Sequence, residues 1–240
     1  MKKSPYFLKA VVTSAVLLVG MSAAHAQTVF DFANLTNGGA GNFLPTNGVS
    51  CTGGDKCSSN VSSVLNGTLS FASGGLVVNV MASYNGSAFG NGAAVVQDHE
   101  PAYNNATFTG AGLGVYHLKN ENSDDNITAK ESLKLSFNQA VTISAIGLRS
   151  DGHNARFDSD KKFEYSFDNL SWTRTNLAGS VALNKIGQDF YIRYSEHSGA
   201  QFYLSSMTVA AVPEPETYAM LLAGLGVLGA VARRRQSKKA

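Results

Sequence analysis

The feature that most constrains the fold of this chain is a period-two alternation of apolar and polar residues between residues 27 and 212. Segments such as 133–137 (LKLSF) and 163–167 (FEYSF) place every second side chain on one face of an extended strand. Asn-Gly and Asp-Gly pairs, which favour tight turns, separate several of these segments. No stretch of ten or more residues here has the period of an amphipathic helix. The sequence predicts strands at 28–33, 67–72, 76–81, 133–137, 141–148, 163–167, 190–194 and 202–209.

Many short strands joined by polar connections predict an all-β fold, a two-sheet β-sandwich of the jelly-roll type. The chain has a net charge of +2, but residues 27–212 hold 11 basic and 15 acidic residues, a net charge of −4. The basic surplus therefore lies entirely at the two ends of the chain. A nucleic-acid partner is not expected, because the folded region lacks a basic surplus.

The first 26 residues have the layout of a secretory signal peptide. Lys2, Lys3 and Lys9 precede an apolar run at 10–21, and the small-x-small sequence Ala24-His25-Ala26 predicts cleavage by signal peptidase before Gln27. The alternative is an uncleaved membrane helix. The run of 12 residues is short of the roughly 20 needed to span a bilayer, which favours the cleaved peptide.

The C-terminal end has three parts in a fixed order. Pro213-Glu214-Pro215 disfavours helix, the uncharged segment 217–232 predicts a short transmembrane helix, and Arg233-Arg234-Arg235 follows at once. The positive-inside rule places the arginines in the cytoplasm. An ordinary inner-membrane tail anchor is the alternative, but 16 residues reach only about 24 Å of the roughly 30 Å core.

These three parts resemble the PEP-CTERM sorting signal of Gram-negative bacteria. The resemblance implies recognition by an exosortase, a membrane-embedded cysteine peptidase-like enzyme, with cleavage at or near Pro-Glu-Pro and transient residence in the inner membrane. It also implies release to the cell surface, the outer membrane or the extracellular matrix. The predicted segments are a signal peptide at 1–26, a β-sandwich ectodomain at 27–211, the sorting signal at 212–236 and a basic cytoplasmic tail at 237–240.

Parts of the ectodomain resemble known β modules. The order of a GLGV strand at 112–115, an acidic loop and the sequence ESLKLSF at 131–137 resembles ectodomains found ahead of PEP-CTERM signals. The sequence FEYSFDNLSW at 163–172 resembles a hairpin of carbohydrate-binding jelly rolls. Fold does not settle function, so these resemblances support an architecture only.

Two candidate structural features concern cysteines and acidic loops. Cys51 and Cys57 predict a disulfide, because export places them in an oxidising compartment. Two polar loops rich in oxygen ligands suggest a structural calcium ion, with no other cofactor expected. Solvated turn residues are the alternative interpretation. The candidate ligands are Asp124, Asp125, Asn126, Asp151, Asp158 and Asp160.

Trp172 is the candidate residue for stacking on a sugar ring, although aromatic residues of sandwiches more often lie in the core. No nucleophile elbow or H-E-x-x-H motif occurs, and no catalytic residue is assigned. The expected function is that of a non-enzymatic surface or matrix protein associated with exopolysaccharide or cell-surface glycan, aggregation and biofilm. A calcium-assisted carbohydrate-binding module and a secreted hydrolase are the alternatives.

Overall fold

Antiparallel strands make up most of the folded region. The computed structural model describes residues 26–33, 40–41, 68–98, 111–117, 126–213, 222–230 and 234. Within these residues the fold is mostly β and β-sandwich-like, as the alternation predicts, with eleven strands linked in one antiparallel sheet and one short helix; the two-sheet jelly-roll topology stays a prediction. The strands are β1 (Thr28–Asp31), β2 (Ala40–Gly41), β3 (Leu69–Ser73), β4 (Leu76–Tyr84), β5 (Ala94–Asp98), β6 (Gly112–Tyr116), β7 (Glu131–Ser150), β8 (Lys162–Ser166), β9 (Thr173–Asn176), β10 (Ser180–Tyr194) and β11 (Phe202–Ala211).

Two long strands, β7 and β10, are shared by the two halves of the fold. The first half of β7 pairs with β4, and its second half pairs with β11. Strand β10 pairs with β7 along both halves, with a register shift between Gly187 and Asp189 at the junction. One half has the order β2-β3-β4-β7-β10-β8-β9, and in the other β11 pairs with β7, β1 and β6, while β6 also pairs with β5.

The hydrophobic core follows from the alternation along these strands. On β7, Leu133 and Leu135 are completely buried, while Lys134 between them points to the opposite face. Phe190 and Ile192 of β10 face the same core. Burial of each such side chain contributes about 1.5–3 kcal/mol relative to exposure. The opposite face of this half of the fold, which includes β4, β7, β10, β8 and β9, carries polar residues. It is therefore available for a functional site.

The structure joins two segments that the sequence predicts as separate strands. Residues 133–137 and 141–148 belong to the single strand β7. The intervening Asn138 is a typical turn residue, but its side-chain oxygen accepts a hydrogen bond of 3.0 Å from the backbone N–H of Val77. This contact with β4 accommodates Asn138 within an extended strand.

Gly112 is required where β6 crosses close to β11. Its φ of 122° is a conformation that L side chains rarely adopt. A Cβ atom at this position would overlap the backbone carbonyl of Leu204. The absence of a side chain therefore allows Leu113 and Leu204 to pair.

The C-terminal helix extends over residues 222–230, and all nine residues are exposed. Within the part of the chain that the structure describes, no helix is both long and apolar enough to cross a membrane. The transmembrane helix therefore stays a prediction, as does the signal peptide, of which only Ala26 is described.

Candidate functional site

A polar depression lies at one end of the outer face of the first half of the fold. Its volume is about 310 Å³, and separate segments of the chain contribute to it. We call it the Trp172 depression. It is lined by Ser83, Asn85, Gly86, Ser87, Phe89, Lys130, Glu131, Ser132, Asn169, Trp172, Arg193, Tyr194 and Glu196.

A polar row crosses five strands beneath and beside the Trp172 depression, and Ser83, Ser132 and Arg193 of this row line it. Ser83 of β4 is opposite Ser132 of β7, and Ser132 is opposite Arg193 of β10. Arg193 is in turn opposite Glu164 of β8, which is opposite Arg174 of β9. Because directly opposite residues point to the same face of a sheet, these five side chains form one polar row.

Glu164 is the centre of a charged network in this row. Its Oε2 accepts hydrogen bonds from Nε and Nη2 of Arg193 at 2.9 and 2.6 Å, and its Oε1 accepts one from Nε of Arg174 at 2.9 Å. Burial raises the pKa of Glu164, but the hydrogen bonds from Arg193 and Arg174 outweigh this effect and leave the pKa below its ordinary value. Glu164 is therefore a carboxylate at neutral pH and holds both arginines.

Trp172 is oriented by Arg193. The guanidinium carbon of Arg193 lies 3.8 Å from the centroid of the indole ring, a close cation–π contact. One face of Trp172 is therefore covered by protein, and the partly buried ring also lines the depression. The sequence-predicted sugar-stacking residue thus lies at a candidate site, with Arg193 on one face of its ring.

The turn between β8 and β9 is organised by Asp168. Its Oδ1 accepts hydrogen bonds from the backbone N–H groups of Ser171 and Leu170 at 2.7 and 2.8 Å, and from the hydroxyl of Ser166 at 2.8 Å. These bonds hold the pKa of Asp168 well below its ordinary value. Asn169 adopts a φ of 60° in this turn, which Asn tolerates better than most residues. The turn thereby fixes the position of Asn169 and of the backbone that leads to Trp172.

Two further turns form the opposite wall. Asn85 and Gly86 both have positive φ, and the hydroxyl of Ser87 accepts the N–H of Tyr84 at 3.2 Å. Lys130 has a φ of 67°, and its N–H donates to Oε1 of Glu196 at 3.1 Å. The wall is therefore fixed by hydrogen bonds within and between the turns.

A buried pair of ionisable residues lies at the base of the depression. Oε1 of Glu131 is 3.4 Å from Nε2 of His117, and both side chains are almost completely buried. Tyr84 stacks on the His117 ring with the centroids 3.6 Å apart, and the N–H of Thr128 donates to Oε2 of Glu131 at 2.8 Å. This cluster ties the start of β7 to the end of β6.

The candidate calcium ligands are only partly brought together. Nδ2 of Asn126 donates to Oδ1 of Asp151 at 3.0 Å, which joins the two loops that the sequence analysis pairs. Asp151 and Asp158 both line a second depression of about 380 Å³, and Oδ2 of Asp160 lies 3.6 Å from Nζ of Lys161.

Among the residues that the structure describes, no group of three or more His, Cys, Asp or Glu side chains is placed to hold a metal ion. Asp124 and Asp125 lie outside these residues, so calcium binding stays a prediction. Cys51, Cys57, Ala24, Glu214, Pro215, Arg233 and Arg235 also lie outside the described residues. Ala26 and Gln27 are described immediately before β1.

The network around Glu164 was missed by sequence reasoning. Arg193 lies 29 positions beyond Glu164, and Arg174 belongs to β9, a segment that the sequence analysis does not predict as a strand. The only available signal was a charged residue at a polar position in each of the predicted strands 163–167 and 190–194. That signal does not reveal which strands are neighbours.

The C-terminal segment begins where the sandwich ends. Strand β11 ends at Ala211, and the N–H of Val212 donates to the carbonyl of Ala140 at 3.0 Å. Pro213 follows, and the exposed helix begins at residue 222. The last strand is therefore complete before Pro213.

Comparisons with known proteins identify one segment of the chain. No curated protein and no solved structure matches it. A family model of the PEP-CTERM protein-sorting motif matches residues 211–236. This match agrees with the order of Pro-Glu-Pro, short apolar segment and arginines in the sequence. Residues 211–236 of this chain are therefore a PEP-CTERM protein-sorting motif.

Proposed function

We propose that this chain is a surface or extracellular-matrix protein with a non-enzymatic role in exopolysaccharide association, aggregation or biofilm. The PEP-CTERM motif supports an exported protein that is sorted by an exosortase. The observation that carries the proposal is the position of the motif, which begins at Ala211, the last residue of β11. The matrix role rests on this sorting route together with a β-rich domain suited to display outside the cell.

The position of the motif supports cleavage that spares the folded domain. The contacts of β11 with β1, β6 and β7 all lie at or before Ala211. Cleavage at or near Pro213-Glu214-Pro215 leaves those pairings intact. The apolar helix at residues 222–230 is exposed, so its removal takes no packed surface from the sandwich.

The charge distribution supports the same route. The full chain has a net charge of +2, whereas residues 27–212, without the signal peptide and the basic C-terminal end, have a net charge of −4. The basic surplus belongs to the segments that direct export and retention. The released domain is mildly acidic, which favours solubility in a hydrated matrix.

The proposal is tested by the intact mass and the cell fraction of the native protein. We expect the mature protein outside the inner membrane, without residues 1–26 and without the segment beyond about Pro215. Replacement of Arg233, Arg234 and Arg235 by Gln should leave an uncleaved C-terminus in the inner membrane. Replacement of Lys238 and Lys239 by Gln is the matched control, and we expect normal processing. A wild-type protein with a full-length C-terminus in the inner membrane contradicts the sorting proposal.

The non-enzymatic part of the proposal has a separate test. The purified protein should leave broad panels of glycan and ester substrates unchanged. Hydrolysis that co-purifies with the protein and disappears in a Glu131→Gln or Glu164→Gln variant that still folds would support the secreted hydrolase instead.

A further inference from the structure

We propose that the Trp172 depression binds one neutral sugar unit of a polysaccharide. The inference deepens the proposed matrix role and rests on it for the biological source of the glycan. The argument for the site itself depends on its size, its hydrogen-bonding groups, its charge balance and its rigidity.

The size of the depression suits a small ligand. Its volume of about 310 Å³ lies at the lower end of the range of roughly 300–1,000 Å³ that is typical of small-molecule sites. The depression therefore favours one unit of a chain, with neighbouring units in solvent, over a buried oligosaccharide.

The lining matches the chemistry of hydroxyl groups. Asn85 and Asn169 each offer an amide with donors and an acceptor, and Ser132 offers a hydroxyl group. Glu196 adds a carboxylate, which accepts hydrogen bonds from hydroxyl groups. Adjacent sugar hydroxyls both donate and accept, so a mixed set of this kind can pair with them.

An aromatic surface lies among these polar groups. The ring of Trp172 contributes to the lining, and its orientation is fixed by the stacked guanidinium of Arg193. A sugar ring has apolar C–H groups as well as hydroxyls. An aromatic ring beside hydrogen-bonding groups offers partners for both.

The charge balance favours a neutral ligand over an acidic one. Arg193 is paired with Glu164, whose other oxygen is held by Arg174. Lys130 and Glu196, which both line the depression, carry opposite charges, and the Glu131 side chain is buried against His117. A uronic acid or sulfated sugar would find Arg193 already held by Glu164 and would lie close to the carboxylate of Glu196, and this repulsion opposes its binding.

The walls are preorganised. Asp168 fixes the turn that carries Asn169, and the hydrogen bond from Lys130 to Glu196 joins two segments of the rim. Binding to a site that is already ordered loses less conformational entropy than binding to mobile loops. The depression therefore needs no rearrangement to receive a ligand.

The experiment uses the purified full-length chain and two readouts. Native affinity gels contain dextran or galactomannan as neutral polymers, or polygalacturonate as the acidic one. Trp172 is the single tryptophan of the chain, so tryptophan emission during titration with the same polymers reports on this depression alone. We expect retardation and a saturable change of emission with at least one neutral polymer, and neither with polygalacturonate.

Two matched variants connect binding to the depression. Asn169→Gly removes a lining amide at a left-handed position where glycine adds no strain, and we expect binding to weaken about 3- to 10-fold. Asn184→Gly makes the same change at an exposed left-handed position of β10 outside the depression, and we expect binding within about twofold of wild type.

Three results would overturn the inference. They are the absence of both responses with every neutral polymer, binding to polygalacturonate alone, and equal affinity of the Asn169→Gly and Asn184→Gly variants. Each of these leaves the sorting proposal intact, because that proposal depends on the mass and location of the native protein. Conversely, an uncleaved protein that still binds dextran or galactomannan would refute the sorting route and retain the sugar site.

Discussion

Arg193 of β10 holds the carboxylate of Glu164 on the neighbouring strand β8, with Nη2 only 2.6 Å from Oε2. The same guanidinium stacks on Trp172, so one arginine joins a buried acid to the aromatic residue of the depression. The folding stability of this half of the sandwich and the order of the candidate site therefore depend on one ionised glutamate.

Glu164→Gln should lower the free energy of unfolding by about 1–2 kcal/mol at pH 7. This range allows for solvent screening, since the two arginine side chains are 42% and 39% exposed. The pKa of Glu164 is lowered in the folded protein, so its contribution is present above the ordinary pKa of 4.5. It is lost as the pH falls through the lower, folded pKa. Urea unfolding from pH 3 to pH 7 measures the difference.

Lys185→Gln is the control for this experiment, because Lys185 is an exposed charged residue of β10 outside the network. We expect its stability to follow the wild type at each pH. A difference between wild type and Glu164→Gln that does not shrink below pH 4.5 would contradict the assigned role of Glu164.

Gly112→Ala should destabilise the protein by about 3 kcal/mol or more, because a side chain adds both backbone strain and overlap with Leu204. Gly75→Ala is the matched change, since Gly75 also has positive φ but has open space around it. It should cost only about 1–2 kcal/mol. The midpoints of urea unfolding compare the two variants. Equal losses of stability would show that the close approach of β6 to β11 adds no steric cost to the Gly112→Ala change.

Asp168→Ala should increase the accessibility of Trp172 to acrylamide, because the turn loses the acceptor of two backbone N–H groups. The quenching constant of tryptophan emission measures this change. Since hydrogen bonds lower the pKa of Asp168, the wild-type constant should be flat from pH 7 to about pH 4. In Lys185→Ala, an exposed change outside this turn, the quenching constant should equal that of the wild type. Unchanged quenching in Asp168→Ala would mean that the turn is ordered by other contacts.

A chain that ends at Pro213 should unfold with the same free energy as the full chain, within about 0.5 kcal/mol. The reason is that the pairings of β11 are complete at Ala211 and the helix at residues 222–230 is exposed. Urea unfolding followed by far-ultraviolet circular dichroism compares the two chains. A loss of about 2 kcal/mol or more would show that the sorting motif contributes to the folded domain.

The all-β class was predictable because the alternation of side chains is local to each strand. The lengths of the two longest strands, β7 and β10, were not predictable in this way. Asn138 reads as a turn residue, yet its hydrogen bond to Val77 keeps β7 continuous. The first part of β10 has exposed apolar residues such as Ile186, which hides the alternation. These features depend on tertiary pairing, which a local pattern does not contain.

The candidate site, too, was predictable from the sequence only in part. Trp172 was a candidate because a tryptophan next to a turn is visible in the sequence. Its neighbour Arg193 lies 21 positions further along the chain and reaches it only through the pairing of β8 with β10. The sorting motif at residues 211–236 was predictable because contiguous residues define it, while its transmembrane helix stays a prediction.

The pairing of β1 with β11 has a mechanical consequence. Thr28, at the start of β1, is opposite Val209, near the end of β11. The chain therefore enters and leaves the folded domain at the same end of this strand pair. A force that pulls these ends apart would load the hydrogen bonds of this pair one after another, as in opening a zipper. The two strands should then peel at low force. In the proposed matrix role, a domain with this geometry would yield under strain and would not carry sustained tension between its termini.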